Sequence, residues 1–79
     1  MGSVQMPVSL DTKGLNCPIP ILKVKKALMR LESNDTLLVE TTDPGSVIDF
    51  EVFCRAKGHK LVTNYEEDGV FKFEIRKST

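Results

Sequence analysis

The sequence predicts an α+β fold. Two helices cover one face of a four-stranded mixed sheet, in the order β-α-β-α-β-β, as a two-layer α/β sandwich. Three observations carry this expectation. Two stretches with apolar residues at helical spacing each begin beside a proline, at Pro18 and Pro44. Short alternating, β-branched-rich runs stand before, between and after them. The last two runs are joined by Asp68-Gly69, the mark of a two-residue hairpin turn.

Each element has its own reason. Val8, Leu10 and Thr12 alternate with Ser9 and Asp11, a short strand that ends at Gly14. Pro7 precedes it, where a missing N–H suits an edge strand. Residues 18–32 place Ile21, Val24, Leu28 and Leu31 on one helical stripe, with Ala27 beside them. Ser33-Asn34-Asp35 breaks that pattern, and Thr36 to Thr42 alternates as a second strand. Asp43 then reads as a helix cap, with Pro44 in the first turn. Ser46 and Asp49 offer a competing capping box one turn later. The second helix turns Val47, Phe50, Phe53 and Cys54 inward and stops at Gly58, the usual left-handed terminator. A strand–helix–strand crossover between parallel strands is right-handed. Both helices therefore share a face and a direction, which brings Cys17 and Asp43 together at one end.

The chain has 79 residues, 41% hydrophobic and 28% charged, the composition of an ordinary globular domain. One domain spanning 1–79 is expected, with residues 1–5 as a flexible tail. Eleven basic and eleven acidic residues cancel, which counts against a generic polyanion binder. Two cysteines are too few for a disulfide scaffold. No apolar run reaches the ~20 residues of a membrane span, and the start lacks the features of a secretory signal. A cytoplasmic address with reduced thiols follows as the expectation.

The chemistry gathers at Cys17-Pro18-Ile19-Pro20. Pro18 disfavours the helical conformation at Cys17, which puts the cysteine at the N-cap of the first helix. The free amides of Ile19 and Ile21 are then able to reach its sulfur, and Pro18 and Pro20 stiffen the turn. The helix end adds roughly half a positive charge. Lys23, Lys25 and Lys26 add more within two turns. Such a setting is expected to lower a thiol pKa from about 8.5 toward about 3.5–7.5, and the thiolate is the nucleophile. Cys54, on the inward stripe, reads instead as a core residue. The sequence has no Cys-x-x-Cys, and its lone His59 falls at the far end of the second helix, so neither a dithiol centre nor a Cys-His pair is expected. Two cysteines and one histidine, widely spaced, predict no metal site, and no cofactor motif is present. On a helical wheel Leu22 and Met29 face away from the core beside Lys25 and Lys26, a candidate docking strip.

These residues resemble the TusA/SirA-like sulfur-carrier (sulfurtransferase) family. The family opening of an aspartate followed by Gly-Leu-x-Cys-Pro-x-Pro matches Asp11 and Gly14-Leu15-Asn16-Cys17-Pro18-Ile19-Pro20. The Asp-Pro before the second helix matches Asp43-Pro44. The later Phe-Cys and Gly-His-x-Leu match Phe53-Cys54 and Gly58-His59-Lys60-Leu61. The likeness runs from about Ser9 to Lys77. It implies a β-α-β-α-β-β sandwich and a cysteine that carries sulfane sulfur as a persulfide, a role that falls on Cys17. It also implies a cysteine desulfurase or rhodanese-type protein as donor and a sulfur-accepting protein downstream. The routes implied are tRNA thiolation, molybdenum-cofactor formation or sulfur oxidation. The expected partner face is Leu22, Lys25, Met29 and Asp43. The competing expectation is a non-catalytic nucleic-acid-binding or regulatory module in which Cys17 only caps a helix; direct nucleic-acid contact is disfavoured by the charge balance.

Overall fold

The computed structural model describes residues 8–78. The elements follow the expected order: β1 (Val8–Thr12), α1 (Ile19–Met29), β2 (Thr36–Thr41), α2 (Pro44–Lys57), β3 (Lys60–Glu67) and β4 (Val70–Arg76). Residues 1–5 and Pro7 lie outside the described residues.

The sheet order is β1-β2-β4-β3. β1 runs parallel to β2, while β4 is antiparallel to both β2 and β3. The first three strands therefore point the same way, and the last hairpin slots its second strand between β2 and β3. Asp68 and Gly69 both take positive φ, 53° and 80°, so the turn has the twist that a tight hairpin needs. β1 is an edge strand, the position that a proline just before it suited.

Leu37, Val39, Phe73 and Ile75 point from the central strands toward the helices. Val24 and Leu28 of α1 and Phe50 and Cys54 of α2 meet them to form the core. The Phe50 and Phe73 rings pack edge to face at 4.7 Å between α2 and β4, a geometry that adds ~0.5–1.5 kcal/mol to simple burial. The other sheet face is bare. It carries Asp11, Glu40, Lys72 and Tyr65 in one cross-strand row, and Ser9, Leu38, Glu74 and Thr63 in the next.

Helix ends differ slightly from the sequence reading. α1 stops at Met29 rather than continuing to residue 32. The turn tightens there, with the amides of Arg30 and Leu31 donating to the carbonyls of Ala27 and Leu28, and Lys77 Nζ caps the carbonyls of Leu28 and Leu31 at 2.7 and 2.6 Å. Leu31 still packs on the core from the turn that follows. α2 ends where expected, with Gly58 at φ 77°.

Candidate functional site

Both helices begin at the end of the sheet marked by Thr12, Thr41 and Phe71. The loop from Lys13 to Pro18 lies across that end and is pinned from several sides. Thr12, fully buried, donates its hydroxyl to the Glu40 carbonyl at 2.6 Å. The Gly14 amide donates to Thr42 Oγ1 at 2.9 Å. The Ile19 amide donates to the Asn16 carbonyl at 2.8 Å, closing the turn around Cys17.

Asp43 ties the loop to α2. One carboxylate oxygen accepts the Gly45 amide at 3.1 Å, as an N-cap should. The other accepts the Cys17 amide at 2.8 Å and the Ser46 hydroxyl at 3.2 Å. The donated Cys17 N–H, and then that of Gly45, hold the Asp43 carboxyl below the usual aspartate range. The two helix starts are thus neighbours, as the parallel crossovers required. Ser46 is buried and spent on Asp43, so the alternative capping box with Asp49 does not form.

The sulfur itself sits differently from expectation. The α1 N-cap is Pro18, with no side-chain capping bond, and the Cys17–Pro18 peptide is cis. Cys17 therefore stands one residue before the cap. The amide of Ile19 is already taken by Asn16. The thiol instead donates to Asp49 Oδ2 at 2.9 Å. The hydrogen bond to that carboxylate first, then partial desolvation, then the charges of Asp49 and Asp43 raise the Cys17 pKa above its ordinary value. This corrects the expectation of a thiol lowered by the helix end and by lysines. An acidic neighbour at contact distance outweighs a diffuse partial charge that is not aimed at the sulfur. The lysines are also divided: Lys25 lines the Cys17 recess, whereas Lys23 and Lys26 line a hollow with Leu10 and Arg30.

Cys17 is exposed at one end of a shallow recess of about 450 Å³ between the helices, lined also by Pro18, Ile21, Asp49, Val52 and Phe53. Pro20 is buried and Ile19 is exposed. The proposed docking residues are exposed as the helical wheel required: Leu22 is 48% and Met29 81% exposed, and Lys25 reaches over the Phe53 ring at 5.7 Å, but Met29 stands at the far end of α1, in a hollow shared with His59 and Lys77. α2 adds two apolar residues that sequence reasoning missed, Ile48 at 66% and Val52 at 57% exposure. Their spacing of four on an outward face was the available signal. Asp49 was also missed as a neighbour of the thiol.

The remaining candidates separate cleanly. Cys54 is buried in the core, and desolvation pushes its thiol up to about 11. His59 packs its ring against Phe53 and accepts the Ser78 amide at 3.2 Å. It precedes β3, whose first residue pairs with Arg76, the partner of Thr36. Thr36 and Thr41 bound a strand of ~17 Å, which places His59 at the opposite end from Cys17. Among the described residues, no three His, Cys, Asp or Glu side chains are grouped to hold a metal ion. No described helix is long and apolar enough to cross a membrane.

A small two-layer domain that presents its one exposed cysteine at paired helix starts, beside a shallow recess, has the form of a carrier that meets other proteins. The comparisons place it more narrowly. The family model described as "Sulfurtransferase TusA" matches residues 8–77. The "Sulfur carrier protein TusA" of Allochromatium vinosum is 51% identical over 69 residues, covering 87% of this chain and 91% of that protein. The crystal structure of a SirA-like protein from Desulfitobacterium hafniense superposes with a TM-score of 0.81 at 28% identity, covering 94% of this chain and all of that one. The chain belongs to the TusA/SirA-like family of sulfur carriers.

Proposed function

We propose that this protein carries sulfane sulfur as a persulfide on Cys17, receiving it from a donor protein and passing it to an acceptor protein. The observation that supports this most directly is the presentation of the sulfur. Cys17 is exposed, its backbone is clamped by Asp43, and its surroundings form a shallow recess. A nucleophile that works on another protein's side chain needs reach and a surface to dock on. The docking face comprises Leu22, Lys25, Met29 and the Asp43 corner, extended by Ile48 and Val52. The donor is a cysteine desulfurase or a rhodanese-type protein, and the acceptor serves tRNA thiolation, molybdenum-cofactor formation or sulfur oxidation. A reducing cytoplasm suits a resting thiol.

The nucleic-acid reading finds less support. The bare sheet face has Tyr65 exposed, but Asp11, Glu40 and Glu74 share that face, and its Lys72 is paired to Glu40 and Glu67 at 3.7 and 3.1 Å. Such a face repels phosphate.

The test is direct loading. Incubation with a cysteine desulfurase and cysteine should add one sulfur to Cys17, read by intact mass and by peptide mapping. Cys17→Ser should abolish the addition while keeping the fold. Sulfur found on Cys54 instead, or loading that survives Cys17→Ser, would refute the assignment.

A further inference from the structure

Asp49 has no structural duty that its position explains. It stands on α2 past the cap, and Ser46 and the early amides of that helix are served by Asp43 and not by it. Its carboxylate makes no ion pair among the described residues, and the one side-chain hydrogen bond it accepts there is from the Cys17 thiol at 2.9 Å. A carboxylate against a nucleophilic sulfur is the reverse of what a permanently activated cysteine requires.

We propose that Asp49 is the positioning residue of Cys17: it holds the unloaded sulfur as an oriented thiol and releases it from that contact whenever the sulfur becomes an anion. The inference rests on the persulfide-carrier reading above and adds to it a residue that distinguishes the empty from the loaded state.

The chemistry balances without an oxidant or reductant. In loading, Cys17 Sγ attacks the outer sulfur of the donor's persulfide. A new Sγ–S bond forms, and the donor's S–S bond breaks with its electron pair on the donor cysteine. The proton lost by Cys17 ends on that leaving sulfur. Cys17 then bears an outer S–H, and a persulfide is a stronger acid than its parent thiol. Once ionised it has no hydrogen to give Asp49, and the two negative charges repel. Asp49 of α2 touches the sulfur and the cap residue Asp43 holds the Cys17 amide, while Lys25 of α1 and Lys57 of α2 line the same recess about two helical turns further along. The anion therefore turns from the Asp49 carboxylate toward the open recess, where an incoming acceptor meets it.

The test uses the folded full chain carrying Cys54→Ala, with and without Asp49→Asn, and the neutral alkylating agent iodoacetamide. The pH profile of Cys17 alkylation should move to lower pH in Asp49→Asn. The rate at neutral pH should rise severalfold at low salt, with the gap narrowing at high salt. Asp49→Ala should move the profile the same way. After loading with inorganic polysulfide, alkylation at the outer sulfur should respond far less to Asp49→Asn, because the contact is already broken. Superimposable profiles for the unloaded wild type, Asp49→Asn and Asp49→Ala would overturn the positioning role. An equally large effect on loaded and unloaded protein would overturn the release. Failure of Cys17 to take up sulfur in any of these proteins would sink the carrier reading and the release with it, while the unloaded profiles still judge the Asp49 contact.

Discussion

Replacing Cys54 by serine and, separately, by alanine asks whether the second thiol is a packing residue or a redox partner. The side chain is 2% exposed among Val24, Leu28, Phe50 and Phe73. Serine puts a hydroxyl there, and an unsatisfied buried hydroxyl costs ~1–3 kcal/mol. Donation to the Phe50 carbonyl one turn earlier offsets part of this, since helical serines bond back in that way. Alanine adds no polar group and leaves a gap about the size of a methyl, which costs ~1 kcal/mol. Serine should therefore be the more damaging change, although it is the closer in shape. A domain of this size has roughly 4–12 kcal/mol in total, so both variants should remain folded at 25 °C. Their thermal midpoints should fall by ~4–8 °C for each kcal/mol.

The buried thiol also predicts an alkaline limb. Its pKa rises from 9.0 to about 11 because burial penalises the thiolate. The unfolded chain releases this proton first. Stability that is complete below pH 9 is then lost as pH rises toward 11, by at most ~2–3 kcal/mol for this one group. Urea unfolding at pH 7, 9 and 10 measures it, and Cys54→Ala should lack that share of the loss. Parallel losses in wild type and Cys54→Ala would show that the thiol is not desolvated. A folded Cys54→Ser protein unable to load sulfur would restore the dithiol reading.

Two further outcomes are expected. Asp43→Ala should lower the thermal midpoint and speed amide exchange at Cys17 and Gly45, while Asp43→Asn should flatten the acid limb of stability. The wild-type contribution is present above the unfolded value of 3.8 and disappears as pH falls through the lower folded value, so an unchanged acid limb would refute the clamp. Leu22→Glu and Lys25→Glu should each slow transfer from one donor severalfold or more, since losing an interface anchor costs ~1–4 kcal/mol, with the fold and Cys17 alkylation unchanged; wild-type transfer in both would move the docking face to the loop at Lys13 to Asn16.

The parts of this fold that were legible are those governed by local rules. Apolar period, proline placement, the Asp43 cap, the Gly58 stop and the Asp68-Gly69 turn each speak through a few neighbouring residues. The nearness of Cys17 to Asp43 followed from handedness alone, because parallel crossovers leave few arrangements. What failed depended on the phase of one helix against the other. Nothing local says that residue 49, rather than an amide of α1, meets the sulfur; that is set by how α1 and α2 pack over Phe50 and Val24. The cap on the end of α1 was hidden for a related reason, since Lys77 reaches it from the other end of the chain.

Asp43 at the cap of α2 and Asp49 within it divide the work at this site, and their hydrogen bonds show how. Asp43 receives two backbone amides and a hydroxyl, groups that stay put whatever the sulfur does. Its charge is stabilised by them and its role is to fix where Cys17 stands. Asp49 receives only the S–H, so its one bond exists in one state of the sulfur and fails in the other. A single carboxylate serving both purposes would loosen the loop each time the sulfur ionised. With the backbone held by one residue and the thiol by another, the relay proposed above would let the sulfur change state on a fixed backbone, and a donor and an acceptor would then meet the same surface.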